Sequence, residues 1–329
     1  MYHFLVIGFN VNREDMKMKT TKLGKTSLDI PNMALGIMRM DAKAPKQAAE
    51  AIKTAYENGV NFIDSADIYG GGKSEEVFGE ALKLSNIKRE DLFIQSKTGI
   101  VFGPAGKYGS RYEFTKKHIL DGVDGILKRM GIDYLDSLVL HRPDALMDLD
   151  GIKQAFDILQ AKGKVRFFGV SNFNPAQFRM LQSVVSQPLM FDQLQFGLMH
   201  TGMIDFGFHT NMADDASINH DGSLLEFLRM NHVTLQAWSP FQYGNFEGTF
   251  INNPKFPELN RKLQEIGDKY NVGKNAIAAA WILRWPGQVQ VIMGTMTPAH
   301  IADSAKGADI ELTRQEWYDL YFAAGHDLP

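Results

Sequence analysis

The 329-residue sequence predicts an α/β fold: a (β/α)8 barrel of the TIM type, preceded by a β-hairpin and followed by an extra C-terminal helix. Three observations carry that reading. From residue 30 onward, short β-rich runs alternate eight times with amphipathic helical patterns, as βα units around a parallel sheet do. No linker or low-complexity stretch divides the chain, and its length suits one large barrel.

Residues 1–17 read as an N-terminal extension, ahead of a single barrel domain over 18–329. A chain shortened to begin at Met18 that lost stability or activity would refute that boundary. Phe4 to Phe9 is too short to span a membrane and lacks the flanks of a leader peptide. Thr21 to Ile30, with Gly24-Lys25 near its centre, predicts a β-hairpin placed to plug the bottom of the barrel. The strands follow at Met33 to Gly36, Asn61 to Asp64, Leu92 to Lys97, Ser137 to Leu140, Phe167 to Ser171, Phe191 to Phe196, Thr234 to Ser239 and Gln290 to Met293. Between them, Lys46 to Asn58 gathers Ala48, Ala49, Ile52, Ala55 and Tyr56 on one stripe and stops near Gly59. Further helices start near Ser74, Thr115, Gly151, Pro175, Ser223, Lys274 and Pro298, and a last one runs from Thr313 to Ala324. Two irregular insertions, Ile100 to Phe114 and Gly197 to Gly222, follow strand carboxyl ends, where barrel enzymes build their sites.

Composition narrows the partners. Lys and Arg number 35 against 38 Asp and Glu, net −3, with no basic run to follow a phosphate backbone or an anionic membrane. Nucleic acid and membrane are therefore excluded as expected partners. There is no cysteine, so disulfides, thiol catalysis and thiolate metal sites are out, and a reducing, cytoplasmic setting is the default expectation. His200, His209 and His220 share one loop, but their spacing matches no metal pattern, and no metal is expected. Nothing in the sequence specifies an oligomeric state.

Four ionisable residues fall at the ends of three consecutive strands: Asp64 at the tip of one, Tyr69 five residues on, Lys97 and His141 at the tips of the next two. Singly, each has an ordinary reading, as a turn cap, a rim ring, a solvated amine or a core imidazole. Together at one mouth they form a proton-donating site. A phenol is too weak an acid at neutral pH unless a cation stabilises its anion. A charge about 4 Å away, at an effective dielectric of about 20, supplies about 4 kcal/mol before desolvation, enough to lower the phenol's pKa by roughly two units. Lys97 is the expected cation, Asp64 its holder, and His141 the donor that aligns a carbonyl oxygen. The hydride must then come from a bound cofactor.

The segments FIDSADIYG (62–70), FIQSKTG (93–99), YLDSLVLHRPD (134–144), GVSNF (169–173) and LQAWSPF (235–241) resemble the aldo-keto reductase superfamily in order and spacing. The resemblance implies a barrel that binds a nicotinamide dinucleotide across its carboxyl-end face, in keeping with the lack of a GxGxxG motif after any strand. It implies NADPH as coenzyme, with NADH as an alternative, and a small-molecule carbonyl substrate. It assigns Tyr69 as proton donor, Lys97 and Asp64 as its supports, and His141 as the residue orienting the carbonyl. Ser171, Asn172 and Gln193 would contact the nicotinamide carboxamide, and Trp238, followed by Ser239, would stack on the ring. Gly294, Thr295, His300 and Ser304 would face the phosphates. The sequence departs from the pattern there: members that use NADPH commonly carry lysine where Gly294 stands and arginine where His300 stands. Discrimination for NADPH over NADH is therefore expected to be weaker than is usual, improving toward acid pH as His300 gains charge.

Met38, Tyr69, Phe102, Tyr108, Tyr112, Met199 and Phe241 are the expected pocket walls, favouring substrates with apolar bodies. Two rivals stand beside a carbonyl reductase. A strand-end lysine can form a Schiff base, which borohydride would trap. Alternatively, the barrel resembles a cofactor-holding, redox-sensing subunit, which would turn over simple aldehydes poorly.

Overall fold

A computed structural model describes residues 18–103, 106–210, 212, 214–218, 222–244 and 246–326, with 106–109 as backbone only. The expected extension over 1–17 and His220 lie outside these residues. Eight parallel strands close into a barrel in chain order. They are β1 (Met33–Gly36), β2 (Phe62–Asp64), β3 (Phe93–Thr98), β4 (Leu135–Leu140), β5 (Val165–Ser171), β6 (Leu189–Gln195), β7 (Thr234–Trp238) and β8 (Val289–Met293). Closure pairs β8 with β1, Val291 opposite Met33. Because helices cover the outside, the strands are buried on both faces and read as near-continuous apolar runs. Each predicted strand is present, its ends shifted by at most two residues.

The anticipated hairpin pairs Thr20–Lys22 with Asp29–Pro31 and closes the amino end of the barrel. Gly24 donates its N–H to Thr234 Oγ1 at 2.9 Å, and Gln288 Nε2 donates to the Gly24 carbonyl at 2.9 Å. Leu23 and Ile30 are fully buried on a plug of Phe62, Phe93 and Phe191. The stacked rings of Phe62 and Phe93 lie 4.4 Å apart. With the bottom plugged, the barrel opens at its carboxyl-end mouth.

A polar layer sits between plug and mouth, which strand periodicity alone did not announce. Gln95 Nε2 donates to Gln236 Oε1 (2.8 Å), Gln236 Nε2 to Gln290 Oε1 (2.9 Å), and Gln290 Nε2 to the Pro31 carbonyl (2.8 Å). Ser137 Oγ donates to Gln95 Oε1 at 2.9 Å. These buried amides satisfy one another, as a dry interior demands.

The insertions are more ordered than the sequence foretold. Ile100–Gly103 pairs antiparallel with Gly106–Tyr112, and the second insertion carries a helix at Gly202–Phe208. A further helix, Pro257–Tyr270, lies between β7 and β8 and buries Leu259, Leu263 and Ile266. It has no strand of its own, so a count of βα units passes over it. The last helix, Arg314–Ala323, starts in a reciprocal cap between Thr313 and Glu316.

Candidate active site

The loop after β2 is tied along β3: the N–H of Ser65 donates to the Gln95 carbonyl, and that of Asp67 to the Lys97 carbonyl. Tyr69 then opens a tight turn through Gly70, Gly71 and Gly72, all at positive φ. A Cβ on Gly70 would stand 2.6 Å from the Cβ of Asp41, so glycine is required both for space and for conformation.

Lys97 is fully buried beneath Tyr69. Its Nζ donates to Asp64 Oδ2 at 2.7 Å, to the Ser65 carbonyl at 2.6 Å and to the Tyr69 hydroxyl oxygen at 3.2 Å. These use all three hydrogens of an ammonium. Because the phenol oxygen accepts from Lys97, its own hydrogen is left to donate elsewhere. Asp64 Oδ1 accepts from Gln95 at 2.8 Å and Gln193 at 3.0 Å, which anchors the carboxylate in the polar layer. The His141 ring lies 6.0 Å from that of Tyr69, edge to face, with a buried Nδ1 that has no partner among the described residues.

The electrostatics correct one expectation. Burial pushes the Tyr69 phenol above its ordinary value, and the opposing pull of Lys97 does not reverse this. The phenol is not pre-acidified in the free site, because desolvation of its anion outweighs a single ammonium. Burial also opposes the charge on Lys97, but Asp64 and Tyr69 outweigh it and raise its pKa. An amine held in this way has no lone pair with which to form a Schiff base. Burial, then Lys97 and Arg142, hold His141 far below the usual imidazole range, so it is neutral. Beside the site, Thr98 Oγ1 donates to Asp67 Oδ2 at 2.6 Å, and burial pushes Asp67 up to about 6.

One cavity of about 1040 Å³ at the mouth gathers most of the predicted residues. Asp64, Tyr69, His141, Ser171, Asn172, Gln193, Trp238, Ser239, Gly294, Thr295 and His300 all line it. Ser304 does not: it is fully buried in the helix Pro298–Lys306. Of the expected walls, Met38, Tyr69, Phe102 and Phe241 line the cavity, whereas Met199 packs against the core and Tyr112 is half-exposed beyond the lining. The side chain of Tyr108 lies outside those described. His209 Nδ1 pairs with Asp214 Oδ2 at 3.1 Å, and no cluster of three or more His, Cys, Asp or Glu forms among the described residues.

A dinucleotide suits the groove from β4 across to β8. The Trp238 indole N–H has no partner among the described residues, and the helix at Pro298 starts without a side-chain cap, leaving N–H groups for phosphate. Gln193 Nε2 is spent on Asp64 and Gln236, so a carboxamide contact falls to its Oε1. Sequence reasoning missed Arg39. Its Nη1 donates to the Gly294 carbonyl at 3.2 Å, and a Cβ built on Gly294 would lie 3.4 Å from that same nitrogen. A cation from the β1 end thus lies against the backbone of residue 294, with Lys43 on the same wall.

Fold and mouth together define an enzyme of the barrel oxidoreductase class, with a buried Tyr69–Lys97–Asp64 cluster beside an open groove. The chain belongs to the aldo/keto reductase family, whose model matches residues 32–321. With the family comes the class of an NAD(P)H-dependent oxidoreductase. It is 33% identical over 305 residues to 6-dehydroglucose reductase of Agrobacterium fabrum, covering 90% of this chain and 95% of that one. It is 34% identical over 287 residues to oxidoreductase YdhF of Escherichia coli, covering 86% and 90%. Among solved structures, the thermostable aldo-keto reductase Tm1743 in complex with the inhibitor epalrestat matches with a TM-score of 0.72 at 28% identity, covering 93% of this chain and all of that one. No described helix is long and apolar enough to cross a membrane.

Proposed function

We propose that the protein reduces aldehyde or ketone carbonyls to alcohols at this mouth, with Tyr69 as proton donor and NADPH as the preferred coenzyme. One observation carries the reading: Lys97 spends its three hydrogens on Asp64, the Ser65 carbonyl and the phenol oxygen, which frees the phenol's proton for a ligand. When bound, the nicotinamide supplies a hydride, one hydrogen with two electrons, to the carbonyl carbon.

The chain's own residues do the rest. Neutral His141 donates a hydrogen bond to the substrate oxygen and so fixes the carbonyl next to Tyr69. Tyr69, protonated at neutral pH because of its burial, gives its proton to that oxygen as charge develops on it. The phenolate left behind faces an ammonium already in hydrogen-bond contact, so no dipole has to reorganise during transfer. Ser171, Asn172 and Gln193 hold the carboxamide side, and Trp238 offers its ring face to the nicotinamide. Thr295, His300 and the free helix N-terminus at Pro298 meet the phosphates, joined by Arg39, which offsets the missing cations at 294 and 300.

The test is turnover of a panel of aldehydes and ketones followed by coenzyme absorbance, with Tyr69→Phe alongside. Loss of most turnover with coenzyme binding retained supports the reading. A Phe variant as fast as the parent removes Tyr69 from the mechanism.

A further inference from the structure

Arg142 follows His141 directly after β4 and lines the cavity beside the reacting groups. Its guanidinium stands 5.4 Å from the centre of the Trp238 ring, and its charge is felt at the hydroxyls of both Tyr69 and Tyr112. It is partly buried, yet among the described residues it has no ion pair and no hydrogen bond. Burial pulls its pKa down, and the opposing pull of the Tyr112 and Tyr69 phenols does not reverse this. The two carboxylates on the cavity wall are engaged elsewhere. Asp64 serves Lys97 and two glutamines, and Asp303 accepts the Gly273 N–H at 2.7 Å.

A half-desolvated cation without a counter-charge is costly unless a ligand supplies one. The coenzyme's phosphates are badly placed to do so. The groups that would meet them, Gly294, Thr295 and the helix at Pro298, follow β8, whereas Arg142 follows β4 and reaches Trp238, the ring that the nicotinamide end would meet. What remains is the substrate. We propose that Arg142 is the anion-recognising wall of the substrate pocket, so that the preferred carbonyl compounds carry a carboxylate which pairs with the guanidinium while the carbonyl oxygen lies between Tyr69 and His141. The inference rests on the reductase reading of this site and adds the class of substrate. The planar fork of arginine suits a carboxylate through two parallel N–H donors, and the guanidinium lies within cation–π range of Trp238.

The test compares kcat/KM for 4-carboxybenzaldehyde and 4-methylbenzaldehyde, two aldehydes of similar shape that differ in charge. The parent is expected to favour the carboxylate by about tenfold or more, mainly through KM. Arg142→Met should bring the ratio to about one, and Arg142→Lys, which keeps the charge but not the fork, should recover part of it. A parent without preference, or a Met variant that keeps it, overturns the proposal. A binding arm separates this from failure of the reductase reading: quenching of tryptophan emission in the NADP+ complex by benzoate and by benzamide. If neither aldehyde turns over, the reductase reading fails. Benzoate binding about tenfold tighter than benzamide in the parent, and equally in the Met variant, would still uphold the subsite. Equal binding of the two in the parent would sink it.

Discussion

The two sides of the cavity are built on opposite plans. On the β2 to β4 side, Lys97 is fully buried and holds three acceptors, and Asp64 accepts three N–H donors. On the β8 side, Arg39 is exposed and its side chain makes a single hydrogen bond among the described residues, and the helix at Pro298 begins uncapped. The Tyr69–Lys97–Asp64 cluster, the proposed proton machinery, is a finished side, hydrogen-bonded by the fold itself, whereas the β8 side, the proposed phosphate end, is an open one that keeps uncommitted donors. Preorganisation is concentrated where charge must be stabilised during reaction, and adaptable groups where a ligand brings its own charge.

The sharpest way to break this contrast is at Tyr69. Tyr69→Phe should lower kcat by a factor between about 10² and 10⁴ while the coenzyme dissociation constant, from fluorescence titration, changes little. Unchanged turnover would mean that the finished side is not where the proton comes from. Lys97→Met strands the Asp64 carboxylate in the interior and should cost about 3–5 kcal/mol of stability in urea unfolding, as well as activity. A small loss would show that the buried pair is not the anchor described.

Asp67 probes the border of the finished side. Its folded pKa of about 6 lies above the ordinary 3.8, so the folded protein binds the proton more tightly than the unfolded chain. Its favourable contribution is complete below about pH 4 and is lost as pH rises through about 6, a span worth up to about 3 kcal/mol. Asp67→Asn should therefore stabilise the protein at pH 8 and progressively less toward pH 4, as read from denaturation midpoints. A constant difference would refute the linkage. The smallest effect belongs to the open side: Arg39→Met should weaken NADPH about tenfold. If NADH weakens equally, Arg39 meets the pyrophosphate; if only NADPH does, it meets the 2′-phosphate. No change for either would remove it from the groove.

The sequence made the finished side legible because each of its motifs is local. FIDSADIYG, FIQSK and LVLH carry the strand, its tip and the reactive group within a few residues, so placing them at one mouth needed only the parallel order. The open side was harder. Arg39 and Gly294 are 255 residues apart, and no spacing reveals that one hydrogen-bonds the other's carbonyl. Ser304 shares a helix with residues at the cavity but faces inward, a matter of helical phase near a boundary uncertain by a residue or two. The raised pKa of Tyr69 depends on how deep the ring lies, which the sequence does not state. The glutamine layer did leave a signal, a buried glutamine inside each of four strands, at 95, 193, 236 and 290.

That layer constrains any attempt to harden the barrel by greasing its middle storey. Replacing Gln236 with leucine would maroon the amides of Gln95, Gln193 and Gln290 in a dry shaft and loosen two of the tethers on Asp64. In this protein the route to a more robust scaffold runs around the outside of the barrel, because its axis is already in service as scaffolding for the catalyst.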